Sequence, residues 1–167
     1  ILLTPAHYAY VKIQEGCSNR CSYCVIPDIR GPLRSRKVDS IVREVKTLVK
    51  KNVKEIALIG QDITAYGTET GRTNLNSLLL ALRPQIRNIW LRLLYCHPAH
   101  FNDDLIAIVR DTPEICRYLD LPIQHASDRL LSAMNRKTSS VEMAELINKI
   151  RKNIPGVVLR TSVIVGF

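Results

Sequence analysis

With 167 residues, 46% of them hydrophobic and 23% charged, the chain can bury a core of its own and reads as one domain rather than a disordered segment. No apolar run approaches the roughly 18 residues of a membrane span, and the opening ILLTPAHYAY lacks the charged flank and long apolar stretch of a secretory leader, so the reading is a cytosolic protein with no membrane partner. A net charge of +9 fits a nucleic-acid partner through counterion release, but such a balance more often describes a solvated basic surface.

Taken in chain order, the pattern alternates. Tyr10 to Ile13 predicts a short strand. Asp39 is placed to cap a helix whose apolar residues Ile41, Val42, Val45, Leu48 and Val49 recur at helical spacing. Lys54 to Ile59 is β-rich, Asn74 to Leu82 is a leucine-striped helix stopped by Pro84, and Asn88 to Tyr95 predicts the next strand. Asp103 to Arg110 is helical, Tyr118 to Ile123 extended, and Ser127 to Met134 a short helix. Ser139 and Glu142 form a capping box ahead of a helix carrying Met143, Leu146, Ile147 and Ile150. Pro155 and Gly156 end it, and Val157 to Val165 predicts a final strand.

Five strands alternating with helices call for right-handed crossovers and a parallel sheet, either open or rolled into a barrel. In both forms ligands bind at the carboxyl ends of the strands. The unusual stretches all fall there: EGCSNRCSYC, GQDITAYG, YCHPAH, PIQHAS and VGF.

Of these, EGCSNRCSYC carries the most chemistry. Cys17, Cys21 and Cys24 stand at C-x3-C-x2-C spacing, and an odd total of five cysteines suits metal chemistry in a reducing compartment better than a disulfide framework. A structural zinc site normally closes with four protein ligands. Three thiolates are the natural ligands of a 4Fe-4S cube that keeps one iron free for a small molecule. S-adenosylmethionine (SAM), through its amino and carboxylate groups, is such a molecule. The competing reading is a zinc knuckle completed by His7 or His97, which joined to the basic charge would make a non-catalytic RNA-binding module.

With Tyr23 as the aromatic residue before the third cysteine, this motif resembles the radical SAM signature, and the following VIPDIRGPLRSR resembles the methylthiotransferase family. TPAHYAYVKI, GQDITAYG and LPIQHAS resemble its protein-modifying branch, where the tRNA-modifying branch more usually shows GQNVNAY and LPVQSGS. The resemblance runs across the whole chain. It implies an open, partial α/β barrel over residues 1–167, one 4Fe-4S cluster on Cys17, Cys21 and Cys24, and bound SAM. It also implies methylthiolation of an aspartyl β-carbon in a small-subunit ribosomal protein, with tRNA adenosine as the alternative substrate. In the family an adenosyl radical removes hydrogen from that carbon, sulfur enters at an auxiliary cluster, and a second SAM supplies the methyl group. A reductant such as flavodoxin or ferredoxin is expected. A second 4Fe-4S cluster belongs to the family's amino-terminal domain and substrate docking to a carboxyl-terminal TRAM domain, neither of which is in these residues; the chain, which lacks an initial Met, is read as the radical domain alone.

For the SAM contacts the resemblance implies the backbone around Tyr23 for adenine. Gln61 is suited to the methionine amino group, Gln124 to ribose or amino-acid oxygens, and Arg160, by its planar donor fork, to the carboxylate. For each glutamine, satisfying buried backbone is the competing role, and for Arg160 a surface ion pair. No side-chain acid or base is assigned. His125 is expected to shape the entrance or to satisfy its loop, Asp62 and Tyr66 to serve turn and packing, and Cys96 and Cys116 to be small buried hydrophobes. Cys96 beside His97 and His100 leaves room for a second metal. Arg30, Arg34, Arg36 and Lys37 either line an approach for substrate or are simply solvated.

Overall fold

The computed structural model describes residues 4–167, so the first three positions of the ILLTPAHYAY stretch lie outside the described residues. In chain order the elements are β1 (Tyr8–Lys12), β2 (Gln14–Glu15), α1 (Ile26–Arg30), β3 (Arg34–Ser35), α2 (Val38–Lys50), β4 (Glu55–Ile59), α3 (Leu75–Leu82), β5 (Trp90–Leu93), α4 (Asp103–Asp111), β6 (Ile115–Asp120), α5 (Asp128–Ala133), α6 (Ser140–Asn153) and β7 (Val158–Arg160). Single turns of 3₁₀ helix at Ile63–Ala65 and Pro98–His100 follow β4 and β5.

Five strands form one sheet in the order β1-β4-β5-β6-β7, every pair parallel. Because neighbours in sequence are neighbours in the sheet and all run the same way, their carboxyl ends share one rim. Strands β2 and β3 pair antiparallel as a separate clip, Gln14 opposite Ser35 and Glu15 opposite Arg34. This clip and α1 enclose the cysteine loop, and neither was expected from hydrophobic periodicity because both are too short to show a period.

The helices cover one face of the sheet. Helix α2 turns Ile41, Val45 and Leu48 inward, α3 turns Leu75, Leu78, Leu79 and Leu82, and α4 turns Leu105, Ile106 and Val109. They meet Ala9, Val11, Ile56, Leu58, Leu91 and Leu93 from the sheet in one continuous apolar cluster. The other face is polar and less buried: Arg92 forks onto Glu55 at 2.6 and 3.2 Å and stacks over the Tyr118 ring at 5.0 Å.

Helix starts follow local chemistry closely. Asn74 accepts from the Ser77 amide, Asn102 from the Leu105 amide, and Ser139 with Glu142 closes the expected capping box. Asp39 differs from expectation: Lys37 occupies the cap position of α2 and Asp39 lies in the first turn, where its charge still favours the helix amino end. Strand β7 is shorter than the apolar run Val157 to Val165 suggests. Beyond Arg160 the next amide that faces β7, that of Ile123, donates to the Thr161 hydroxyl at 3.1 Å instead of to a strand carbonyl, and among the described residues only an isolated bridge between Gln124 and Val163 continues the pairing.

The cysteine loop begins on a glycine that the backbone requires. Gly16 has φ of 76°, and a Cβ there would stand 2.2 Å from the Pro32 carbonyl oxygen and 2.5 Å from that of Gly31. Gly16→Ala combines a left-handed backbone with a backbone collision, so we expect a loss of at least about 1 kcal/mol. Thermal unfolding should show a melting temperature lower by about 2–4 °C or more; an unchanged value would mean that the loop is not held in this conformation.

Candidate functional site

A cavity of about 200 Å³ opens at the rim made by the strand ends. Cys17, Cys21, Tyr23 and Cys24 enter it from the loop after β2, Gln61 and Asp62 from the segment after β4, Tyr95, Cys96 and His97 from that after β5, and Pro122, Gln124 and Arg136 from beyond β6. Residues more than a hundred positions apart therefore face one space.

The loop that carries the cysteines is tied down on both sides. Cys17 donates its amide to Gly31 at 3.2 Å, and Cys24 closes a turn onto the Cys21 carbonyl at 3.0 Å. All three thiols are partly exposed and none is in a disulfide. Burial pushes the Cys17 thiol up, against hydrogen bonds from Asn19. Burial also raises the Tyr23 hydroxyl to about 12, an effect that the Arg136 guanidinium opposes.

Asp62 joins this loop to the strands. It is 3% exposed, and its carboxylate accepts from Asn19 Nδ2 at 2.9 Å, Thr64 Oγ1 at 2.5 Å and His100 Nδ1 at 2.9 Å. Burial works against its ionisation, but the hydrogen bonds from His100 and Thr64 outweigh it and hold the carboxyl below its usual range. An ionised carboxylate only accepts, so His100 donates Nδ1–H to it. Asp62 is thus more than a turn residue, and periodicity gave no sign of it because its partners lie 43 and 38 positions away. Tyr66 packs fully buried, as expected, with its hydroxyl on the Arg36 carbonyl.

His97 faces the cavity, yet burial and then the Arg136 charge push its imidazole down to about 4, and its Nδ1 accepts from the Ala99 amide. Among the described residues, Asp62, His97 and His100 are the one group of three possible ligand atoms drawn within 4.8 Å of one another. A hydrogen bond accounts for the closeness of Asp62 and His100. The three thiols are not gathered so tightly. His7, one possible fourth zinc ligand, precedes β1, at the opposite end of that strand from the cysteine loop.

The residues expected to contact a small molecule fall into two groups. Gln61 and Gln124 line the cavity. Gln61 Nε2 donates to Glu15 at 3.3 Å while its Oε1 is buried without a partner, an acceptor left for something in the cavity. Gln124 holds φ of 70° and Tyr95 φ of 62°, an uncommon conformation for side chains of their size and one that clusters at functional sites. Arg160 is not among the lining residues. Its Nη1 donates to Asp120 Oδ1 at 2.9 Å, and Asp120, 1% exposed, also accepts from the Tyr95 amide. The arginine that does line the cavity is Arg136, which sequence reading missed because it follows an unremarkable short helix.

Other expectations resolve in ordinary ways. His125 Nδ1 accepts from the Ser127 amide. Cys96 is buried, whereas Cys116 is only half-buried beside Arg92. Arg36 bonds the Lys12 carbonyl, Ser40 and Glu44, and so belongs to the fold more than to a free basic surface.

Comparison with known proteins agrees with this architecture. The cobalamin- and [4Fe-4S]-containing radical S-adenosylmethionine methyltransferase TsrM from Kitasatospora setae superposes with a TM-score of 0.74 over 92% of this chain and 30% of its own, at 17% identity. The cobalamin-dependent S-adenosylmethionine radical enzyme OxsB gives 0.71 over 93% and 23%, at 11% identity; these likenesses concern the fold. In sequence, the chain is 53% identical over its whole length to the ribosomal protein uS12 methylthiotransferase RimO of Desulforamulus reducens, and 51% to that of Pelotomaculum thermopropionicum. It spans 38% of the length of both. Residues 11–167, all but the first ten, match the radical SAM superfamily, and the chain belongs to that family.

Proposed function

We propose that this chain is the radical domain of a methylthiotransferase that modifies an aspartyl β-carbon of ribosomal protein uS12. The observation that carries the reading is one shared cavity: three cysteines of a single loop, Tyr23, Gln61 and Gln124 all open onto it at the strand ends. Identity near 50% to relatives named for uS12, over the entire chain, supports the substrate.

The family implies a 4Fe-4S cluster and SAM, and the residues present fit both. Cys17, Cys21 and Cys24 would hold the cluster, leaving one iron for the ligand. When bound, the reduced cluster supplies the electron that cleaves a carbon–sulfur bond of SAM to give methionine and an adenosyl radical. The protein's part is positioning. Gln61, whose Oε1 has no partner, would accept from the methionine ammonium, the backbone around Tyr23 would bind adenine, and Gln124, which also lines the cavity, would bind the ribose or amino-acid oxygens. Arg160 takes part in carboxylate binding only by releasing Asp120. Asp62 keeps the cysteine loop in place through Asn19.

The parent protein is proposed to carry a second cluster in an amino-terminal domain and a TRAM domain after this one, to act in the cytoplasm, and to draw electrons from a flavodoxin- or ferredoxin-like reductant. Among the described residues no helix is long and apolar enough to cross a membrane.

Three experiments test this reading. After anaerobic reconstitution with iron and sulfide, Cys17→Ala, Cys21→Ala and Cys24→Ala should each lose the 4Fe-4S absorbance, while Cys96→Ser and Cys116→Ser keep it; a normal spectrum in the first three would remove the ligand assignment. Gln61→Ala should leave iron content unchanged and weaken SAM binding about tenfold, the scale of one hydrogen bond to a charged group. Mass spectrometry of ribosomes and tRNA treated with the full-length protein should find a methylthio gain on uS12 and none on tRNA. The reverse result would place the parent in the tRNA-modifying branch, and product from this domain alone would refute the need for the additional domains.

A further inference from the structure

The turn that ends α5 grips the cysteine loop from 111 residues downstream. Ser22 donates its amide to the Met134 carbonyl at 3.1 Å and its hydroxyl to that of Ala133 at 2.9 Å, and Asn135 Nδ2 donates to the Arg20 carbonyl at 2.7 Å. Asn135 takes φ of 54°, which an asparagine tolerates better than most side chains, and this reversal sends the next residue back over the loop.

That residue is Arg136. Its Nη2 donates to the Pro122 carbonyl at 2.8 Å, which fixes the guanidinium plane, and its Nη1 lies 3.8 Å from Cys21 Sγ and 3.5 Å from the Tyr23 hydroxyl. Nε is buried and has no partner. Since arginine does not lose its proton in proteins, a full positive charge stands against this one sulfur at every pH. No carboxylate neutralises it: among the described residues its hydrogen-bond partners are a carbonyl, a thiol and a phenol.

We propose that Arg136 is a positioning residue for the cluster held by Cys17, Cys21 and Cys24, setting its reduction potential through the charge and hydrogen bond that it directs at Cys21. The inference rests on the cysteine-ligand reading above. Reduction adds a negative charge to a cluster, and a fixed cation with a donor to a ligand sulfur stabilises that state, so Arg136 makes the electron easier to accept. Among the described residues Arg136 is the only lysine or arginine that lines the cavity, whereas Arg160 is tied to Asp120 and Arg30 stands 3.9 Å from Glu15.

The test is an EPR-monitored redox titration of the full-length protein after anaerobic reconstitution, comparing wild type with R136Q, R136K and S22A. R136Q should keep iron and sulfide at the wild-type level while its midpoint potential becomes more negative. R136K, which keeps the charge but loses the planar fork, should shift less in the same direction. S22A, which removes the hydroxyl bond to Ala133 and leaves Asn135 and Arg136 in place, should melt at a lower temperature and keep the wild-type potential. A wild-type potential in R136Q would overturn the proposal, as would an equal shift in S22A, because loop packing would then explain it. Should R136Q fail to assemble a cluster, R136K decides: a partial negative shift supports the role and a wild-type potential refutes it. A wild-type protein with no 4Fe-4S signal would instead remove the cysteine-ligand reading, an outcome distinct from either result at Arg136.

Discussion

A buried carboxylate destabilises the fold unless hydrogen-bond donors meet it, and Asp62 is such a carboxylate here. Its donors come from three separate segments: Asn19 in the cysteine loop, Thr64 in the turn after β4, and His100 in the turn after β5. Its own backbone carbonyl accepts from Gln14 Nε2 at 2.6 Å, which binds the clip of β2 and β3 to the same point. Thr64 extends the network by accepting from the His97 amide. Losing any one donor would leave part of the buried carboxylate unsatisfied, a cost of about 1–3 kcal/mol. The cysteine loop is therefore not a free excursion from the sheet. It is fixed to the strand ends by an interaction whose breaking the fold resists.

The second attachment lies across the loop from the first. Asp62 holds it at Asn19, and the turn after α5 holds it at Arg20, Ser22 and Cys21. With both sides fixed, the three thiols keep a common orientation into the cavity although each is partly exposed. This arrangement suits a cluster that must keep one iron open: rigidity comes from hydrogen bonds to the backbone around the cysteines, so no fourth protein ligand is needed to hold the loop in shape.

Charge is distributed with the same economy around the rim. Two buried aspartates, Asp62 and Asp120, face cations or donors from distant segments, His100 in one case and Arg160 in the other. Arg136 has no such partner and turns its charge toward sulfur. The surface basicity that gives the chain its net charge of +9 is a different matter, since part of it, Arg36 above all, is spent on internal hydrogen bonds and ion pairs.

How much of this was legible beforehand depends on the range of the interaction. The capping box at Ser139 and the alternation of strands with helices are local or periodic signals, and the sequence by itself determined them, along with the parallel sheet that follows from alternation. The spacing of Cys17, Cys21 and Cys24 is likewise a local fact, because three thiols within eight residues can hardly avoid a common loop. The elements around that loop were not legible: α1 and the β2–β3 clip are too short for periodicity. Nor was the choice between arginines, for Arg160 sits on a strand beside an obvious site and Arg136 on a plain turn. Only the tertiary structure decided that choice, since it brings Asp120 within 2.9 Å of Arg160 across 40 positions and Cys21 within 3.8 Å of Arg136 across 115. Pairing at such separations is set by how crossovers stack the strands, and no pattern along the chain records it.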